Sequence, residues 1–287
     1  GNPLKESADW VSERHMMELV SDEGEKVSTS LADKWMLYPS VSVGNVPQLA
    51  TELMLSTFGT ANLVAHVRDP TMIPVSGDGS PYSELSTGCE LYSLDGAGNA
   101  FLPRAPPCPG RAAETAKLLV HLVREKGVKD LVVLTSAYAG GRRDVQLQDT
   151  SKFRFMVTSK AEKWAQSLRQ ADILPVDGAG ELGWSSEISD YTDEVGEGRT
   201  PAPAFVPSLR KASFVRTLLE ACEEASISLC VILMFVFEGD NTADAAEMAA
   251  LYARVCGLTG PDQAPPKWKI PPSWAGNLGP RPEPMIY

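Results

Sequence analysis

Two serines beside an apolar run are the residues of this chain best suited to chemistry. Ser40 and Ser42 follow a strand-like pattern and precede an amphipathic helical one, a place where α/β proteins hold a nucleophile or a phosphate. A serine nucleophile needs a base, and the chain offers His15, His66 and His121. The motif G-x-S-x-G is absent, and His121 falls inside a predicted helix. We therefore interpret S-V-G-N-V as a tight turn between strand and helix, with a serine nucleophile as the alternative.

The acidic turn E-G-D-N at residues 238–241 is the second candidate. Glu238 and Asp240 could coordinate a hard cation or act as an acid–base pair. Gly239 also suits a turn, and Asp240 or Asn241 suits the N-cap of a following helix, so we favour capping and predict no metal site. We interpret both candidate turns as structural turns or as part of a partner interface. The first turn comprises Val43, Gly44, Asn45 and Val46.

A third motif, G-A-G-E-L-G at residues 178–183, matches the dinucleotide pattern G-x-G-x-x-G. That pattern binds pyrophosphate only when a helix begins directly after it, because the helix N-terminus supplies the N–H groups. Here Trp184 and an acidic run follow, without the apolar spacing of a helix. We predict a loop at this place, and no nucleotide or other cofactor.

The composition of the 287-residue chain narrows the classes of partner. Its formal net charge is -11, whereas nucleic acids and anionic membrane surfaces select basic proteins, so we expect neither partner. The longest apolar stretch, residues 227–237, is shorter than the ~20 residues that cross a bilayer. The five cysteines include no C-x-x-C pair, which favours free thiols and a reducing compartment over disulfides or zinc.

The arrangement of apolar residues predicts one α/β domain over residues 31–259. Buried-strand patterns at residues 35–41, 131–135 and 227–237 alternate with amphipathic helical patterns. Such alternation is typical of a three-layer sandwich with a largely parallel, Rossmann-like sheet. Residues 1–30 are polar and acidic, and we predict that they form a flexible extension.

Residues 260–287 differ in composition, since they contain eight prolines. Proline is excluded from helix interiors and central strands, so we predict an extended C-terminal tail. Trp268, Ile270 and Trp274 are expected to anchor this tail. Its tip consists of Met285, Ile286 and Tyr287. A stiff segment that ends in apolar side chains and a carboxylate is typical of a docking peptide for an apolar pocket with one lysine, and a frayed terminus is the alternative.

Four segments follow one another as in the PAC2 family of proteasome assembly chaperones, which this chain resembles. They are PSVSVGNVPQLATELMLST (residues 39–57), DVQLQDTSKFRFMVT (144–158), FVFEGDN (235–241) and KWKIPPSW (267–274). The resemblance implies a non-catalytic chaperone without a cofactor that pairs with proteasome assembly chaperone 1. It also implies that the pair promotes assembly of the 20S proteasome from the outer face of the α-ring, in the cytoplasm and nucleus.

The resemblance also implies a role for the tail. Members of this chaperone group insert C-terminal tails between α-subunits, where an apolar–Tyr–any tripeptide packs beside a lysine that pairs with the carboxylate. Tyr287 is the last residue here, one place later than in that pattern, so the tip is HbYX-like. The alternative function is an α/β hydrolase or phosphorylase that acts on a small molecule at the S-V-G-N-V and E-G-D-N turns.

Overall fold

A nine-stranded mixed sheet with helices on both faces organises the part of the chain that the computed structural model describes. The described residues are 16–28, 31–32, 34–58, 62–77, 86–94, 98–141, 151–176, 179–180, 183–184, 213–260 and 263–276. The predicted three-layer α/β sandwich is therefore confirmed.

The regular structure of the described residues consists of thirteen strands, some of only two residues, and five α-helices. The strands are β1 (Glu18–Val20), β2 (Trp35–Pro39), β3 (Asn62–Arg68), β4 (Ser76–Gly77), β5 (Ser86–Thr87), β6 (Cys89–Leu94), β7 (Gly98–Pro103), β8 (Asp130–Tyr138), β9 (Phe153–Val157), β10 (Leu174–Pro175), β11 (Ala179–Gly180), β12 (Gly183–Trp184) and β13 (Leu229–Val236). The helices are α1 (Val46–Phe58), α2 (Ala112–Glu125), α3 (Glu162–Gln170), α4 (Phe214–Glu224) and α5 (Thr242–Val255).

The centre of the sheet is parallel and its flanks are mostly antiparallel. The strand order is β1-β3-β6-β7-β2-β8-β13-β9-β10, and β7, β2, β8 and β13 run parallel to one another. The pairs β1–β3, β3–β6, β6–β7 and β13–β9 are antiparallel. The prediction of a largely parallel sheet thus holds for the centre. The sequence also predicts a hairpin between residues 90–94 and 100–102, because the turn-forming residues D-G-A-G-N separate them, and β6 and β7 form this part of the antiparallel flank.

The central strands are apolar because both of their faces are covered. Every residue of β13 is buried, and its register against β8 runs from Leu229↔Leu131 to Val236↔Tyr138. One core cluster joins this sheet to α2 and α4, and a second joins the opposite face to α1, α3 and α5. No helix among the described residues has both the length and the apolarity to cross a bilayer.

The predicted flexible extension at residues 1–30 is wrong for its described part. Residues Glu18–Val20 form β1, which pairs antiparallel with β3 at the edge of the sheet. Leu19 is 1% exposed, and Asp22 Oδ1 lies 2.7 Å from Nε2 of the buried His66. The short M-E-L-V alternation buries enough apolar surface to order this segment despite its acidic surroundings. Residues 1–15 lie outside the described residues.

The segment over residues 178–183 also differs in part from the prediction. Its described residues form the short strands β11 and β12, which pair antiparallel with each other. These strands replace the predicted loop. Among these described residues no helix begins, and residues 181–182 and 185–212 lie outside the described residues.

Candidate functional site

The carboxyl ends of β2, β8 and β13 lie at one edge of the sheet, and both predicted turns are on that edge. Residues Val43–Asn45 form a 3₁₀ turn after β2, and residues 238–241 follow β13. The turns touch: a Cβ atom placed on Gly44 would lie 2.2 Å from Nδ2 of Asn241. The sheet therefore brings together two motifs that are nearly 200 positions apart in the sequence, because β2, β8 and β13 run parallel and end at the same edge.

Gly44 is required by the backbone as well as by this contact. Its φ is 67°, in the left-handed region that glycine enters without cost, and φ of Asn45 is 52°. Asn45 N donates a 3.0 Å hydrogen bond to Ser42 O, which closes the turn. The sequence S-V-G-N-V is thus built for the turn geometry, as we predicted from its residue types.

The serines of this turn tie it to the neighbouring strand β8. Ser42 Oγ accepts a hydrogen bond from Ser136 N at 3.0 Å, and Ser136 Oγ donates to Val43 O at 2.6 Å. Ser40 N donates to Leu134 O at 2.8 Å. Each of these interactions holds the strand ends in register, so the serines are structural members of the turn.

A base for a serine nucleophile is missing from the described surroundings of the turn. His66 lies on β3, three strands from β2, where its ring nitrogens contact Asp22 and Thr87. Among the described hydrogen bonds, neither Ser40 nor Ser42 has a histidine or carboxylate partner. The hydrolase alternative therefore finds no support in this part of the chain.

The E-G-D-N turn caps α5. Asp240 Oδ1 accepts hydrogen bonds from Thr242 N at 3.1 Å and Thr242 Oγ1 at 2.8 Å, which lower the pKa of Asp240 below its usual value. Asn241 occupies the N-cap position, but its Nδ2 donates to Gly239 O at 3.1 Å and its side chain makes no capping bond. Glu238 is exposed, and the described residues contain no cluster of three or more potential metal ligands.

Two exposed aromatic rings lie at the same strand edge, and the sequence reasoning did not single them out. Tyr138 ends β8 and is 50% exposed, while Phe237 follows β13 and is 62% exposed. Their ring centroids are 5.6 Å apart in an edge-to-face arrangement. A pair of exposed rings is typical of a surface that binds another protein. The available signal was that each aromatic residue stands at the last position of an apolar run.

The tail root forms a second candidate surface, because it packs along α1. We call residues 267–276 the strap. Lys269 N donates a 3.0 Å hydrogen bond to Thr57 Oγ1, and the ring of Trp268 meets that of Phe58 edge to face at 5.9 Å between centroids. Trp274 is 3% exposed and belongs to the core cluster that contains α1 and α5.

Glu52 of α1 joins the strap to the sheet. Its Oε2 accepts from Trp274 Nε1 at 3.0 Å and from Ser273 Oγ at 3.2 Å, and its Oε1 accepts from Arg104 Nη1 at 2.6 Å. Arg104 also lies 3.6 Å from the buried Glu90. Burial works to lower the pKa of Arg104, but the two carboxylates outweigh it and raise that pKa. A carboxylate that is only 8% exposed is thereby provided with three donors.

The predicted tail residues therefore have different surroundings. Trp268 is half-buried and Trp274 is buried, so both pack on the domain. Ile270 is 60% exposed and does not pin the strap to this chain, which corrects the expectation that it anchors the tail. The tip, Met285, Ile286 and Tyr287, lies outside the described residues.

Comparisons with known proteins agree with this architecture. A family model described as PAC2 family matches residues 36–248. The chain is 30% identical over 261 residues to "Proteasome assembly chaperone 2" of Danio rerio, covering 88% of this chain and 94% of that protein. It is 28% identical over 258 residues to the Homo sapiens protein of the same name, covering 85% and 91%.

Solved structures of low sequence identity share the fold. Pyrococcus furiosus PbaA, described as an archaeal homolog of proteasome-assembly chaperone, aligns with a TM-score of 0.53 and 14% identity over 81% of each chain. PbaB of the same organism, described as an archaeal proteasome activator, aligns with a TM-score of 0.52 and 16% identity over 86% of this chain and 91% of that one.

Proposed function

This chain belongs to the PAC2 family, and on that premise we propose that it is a proteasome assembly chaperone that works by binding. The observation that carries the proposal is the match to relatives named Proteasome assembly chaperone 2 over most of both chains. The family's role is non-catalytic, and the turns at residues 43–46 and 238–241 of this chain are engaged in hydrogen bonds within the domain. The geometry supports a protein that presents surfaces to partners.

The first partner in this proposal is proteasome assembly chaperone 1, with which the chain forms a heterodimer. The exposed pair Tyr138 and Phe237 supports a protein contact at the carboxyl edge of the central strands, next to the turns of residues 43–46 and 238–241. Aromatic side chains dominate the binding energy of many interfaces because they bury a large area for few rotatable bonds.

The second partner is the 20S proteasome α-ring, whose outer face the heterodimer binds during assembly. The tip formed by Met285, Ile286 and Tyr287 inserts between α-subunits in this proposal, and its carboxylate pairs with a lysine. A domain contact and a tail contact on one chain raise each other's effective concentration, so neither has to be tight alone. The chaperone acts in the cytoplasm and nucleus, with which the five free thiols are compatible.

Native mass spectrometry of the protein purified from its own cell extract tests this function. We expect complexes that contain a sister chaperone and α-subunits, and loss of the α-subunits when residues 285–287 are deleted. Recovery of a lone monomer that turns over a metabolite would overturn the proposal. Unchanged recovery of α-subunits after the deletion would remove the tail from it.

A further inference from the structure

We propose that Glu52 is a positioning residue for the tail: through Trp274 and Ser273 it locks the strap onto α1 and fixes the point from which the last residues leave the domain. The inference rests on the proposed function, because it concerns how the tip reaches the α-ring. It assigns to residues 267–276 a role in positioning the tip, although these residues do not themselves enter the partner's pocket.

The strap has the geometry of a specific lock. Two donors of the strap, Trp274 Nε1 and Ser273 Oγ, converge on the same atom, Glu52 Oε2. The other oxygen of that carboxylate, Oε1, accepts a hydrogen bond from Arg104, the residue directly after β7. Both oxygens of Glu52 are therefore engaged at the same time. Both oxygens of a carboxylate that is buried in the docked state thus have donors, as a buried charge requires.

The strap is also fixed at a second point, which gives it a direction. Trp268 packs on Phe58 at the C-terminal end of α1, and Trp274 reaches Glu52 near the middle of the same helix. The strap therefore runs antiparallel to α1. Proline at positions 271 and 272 limits the conformations that the free strap could adopt, which reduces the entropy lost on docking.

Docking shortens the tether that carries the tip. Eleven residues follow Gly276, with a full reach of roughly 35 Å, whereas 28 residues follow Thr259, the end of the segment that closes α5. Effective concentration falls roughly as the −3/2 power of tether length, so release of the strap should lower it about fourfold. We expect the same factor in the apparent affinity of the full chain for α-rings.

The test compares two tryptophans that make the same kind of bond. Trp274→Phe removes an indole N–H donated to a buried carboxylate, and Trp164→Phe removes another, since Trp164 Nε1 donates to Asp130 at 3.2 Å. The two side chains are 3% and 6% exposed. Only Trp274 belongs to the strap, so Trp164→Phe is the matched control. Trp274→Ala is a second variant that removes the packing as well.

Two measurements are made on each variant. Amide hydrogen exchange over residues 267–276 reports strap release, and titration of the full chain with purified 20S α-subunit rings reports affinity. Both are repeated in chains that lack residues 285–287. We expect fast exchange in the strap and affinity about fourfold weaker for Trp274→Phe or Trp274→Ala, little change for Trp164→Phe, and no effect of the Trp274 variants once the tip is deleted.

Each other outcome has a definite meaning. If the strap stays protected from hydrogen exchange in Trp274→Ala, the proposal that Trp274 and Glu52 hold it on α1 is overturned. A released strap with unchanged affinity, or with an equal loss in tip-deleted chains, overturns the positioning role while leaving the proposed function intact. A tip deletion that has no effect by itself overturns the tail's part in the proposed function and, with it, this inference.

Discussion

The indole Nε1 of Trp274 donates a 3.0 Å hydrogen bond to Oε2 of Glu52, a residue 222 positions earlier in the chain. Both side chains are almost fully buried, at 3% and 8% exposure. The docked strap thus supplies donors to this carboxylate and helps to cover it, while its indole packs into the core cluster that contains α1 and α5. Residues as far as 276 therefore belong to the folded unit, and the predicted boundary at residue 259 separates parts that pack together.

Two truncations test this boundary. Deletion of residues 260–287 removes the buried Trp274 and should lower the free energy of unfolding by about 3–5 kcal/mol, the usual cost of emptying such a site. Deletion of residues 277–287 should leave stability within about 0.5 kcal/mol of the full chain. Chemical denaturation followed by circular dichroism measures both. Equal stability of the two truncated chains would contradict the structural role of the strap.

Gly44→Ala should destabilise the domain by about 1–3 kcal/mol, because the new Cβ would require both a left-handed backbone and displacement of Asn241. Gly77→Ala is the control, since a Cβ there meets nothing within 4 Å. The double variant Gly44→Ala/Asn241→Ala should recover only the stability that was lost to the clash with Asn241. The loss that comes from the left-handed backbone should remain. Thermal denaturation of the three variants is the measurement, and a fully stable Gly44→Ala protein would refute the contact between the turns.

The central strands of the fold could be predicted because their apolar runs are continuous. A run such as Leu229–Val236 has no polar face, and this pattern occurs where helices cover both sides of a parallel sheet. The direction of the flanking strands could be predicted only where a short turn forces it, as between β6 and β7. The pairing of β1 could not be predicted, because three residues carry too little periodicity to stand out from an acidic segment.

The candidate surfaces were harder to predict than the strands. Prolines indicate that a segment is extended, but they do not say against which element it lies, since docking depends on partners far away in sequence. The informative residue was Glu52, the one charged residue of α1. A buried acid on such a face requires donors from another element, and two of them come from the strap.

Asp240 should make stability depend on pH in the acidic range. Its hydrogen bonds from Thr242 hold its pKa below the ordinary value of 3.8, so the folded state favours the carboxylate. A depressed folded pKa contributes stability that is complete above the unfolded pKa and is lost as the pH falls through the folded one. The advantage of the native protein over Asp240→Asn should therefore shrink as the pH falls from 5 to 3, as denaturant titrations would measure. A constant difference across that range would contradict this capping role.

Phe237→Ala and Tyr138→Ala should weaken heterodimer formation without unfolding the chain. Both rings are at least half exposed, so their removal takes little from the core, whereas exposed aromatic side chains that become buried in an interface contribute about 2 kcal/mol or more each. We expect a dissociation constant for proteasome assembly chaperone 1 that rises by about tenfold or more, measured by calorimetry with purified chains.

The control for this prediction is Leu174→Ala on the edge strand β10, because Leu174 is as exposed as Tyr138 but lies at the far end of the sheet order. Loss of binding in that variant alone would move the interface to the edge strand β10. The edge-to-face contact between Tyr138 and Phe237 adds a further expectation, since each ring orients the other in the free chain. The double variant should then lose less binding energy than the two single losses added together, and strict additivity would indicate that the rings contact the partner independently.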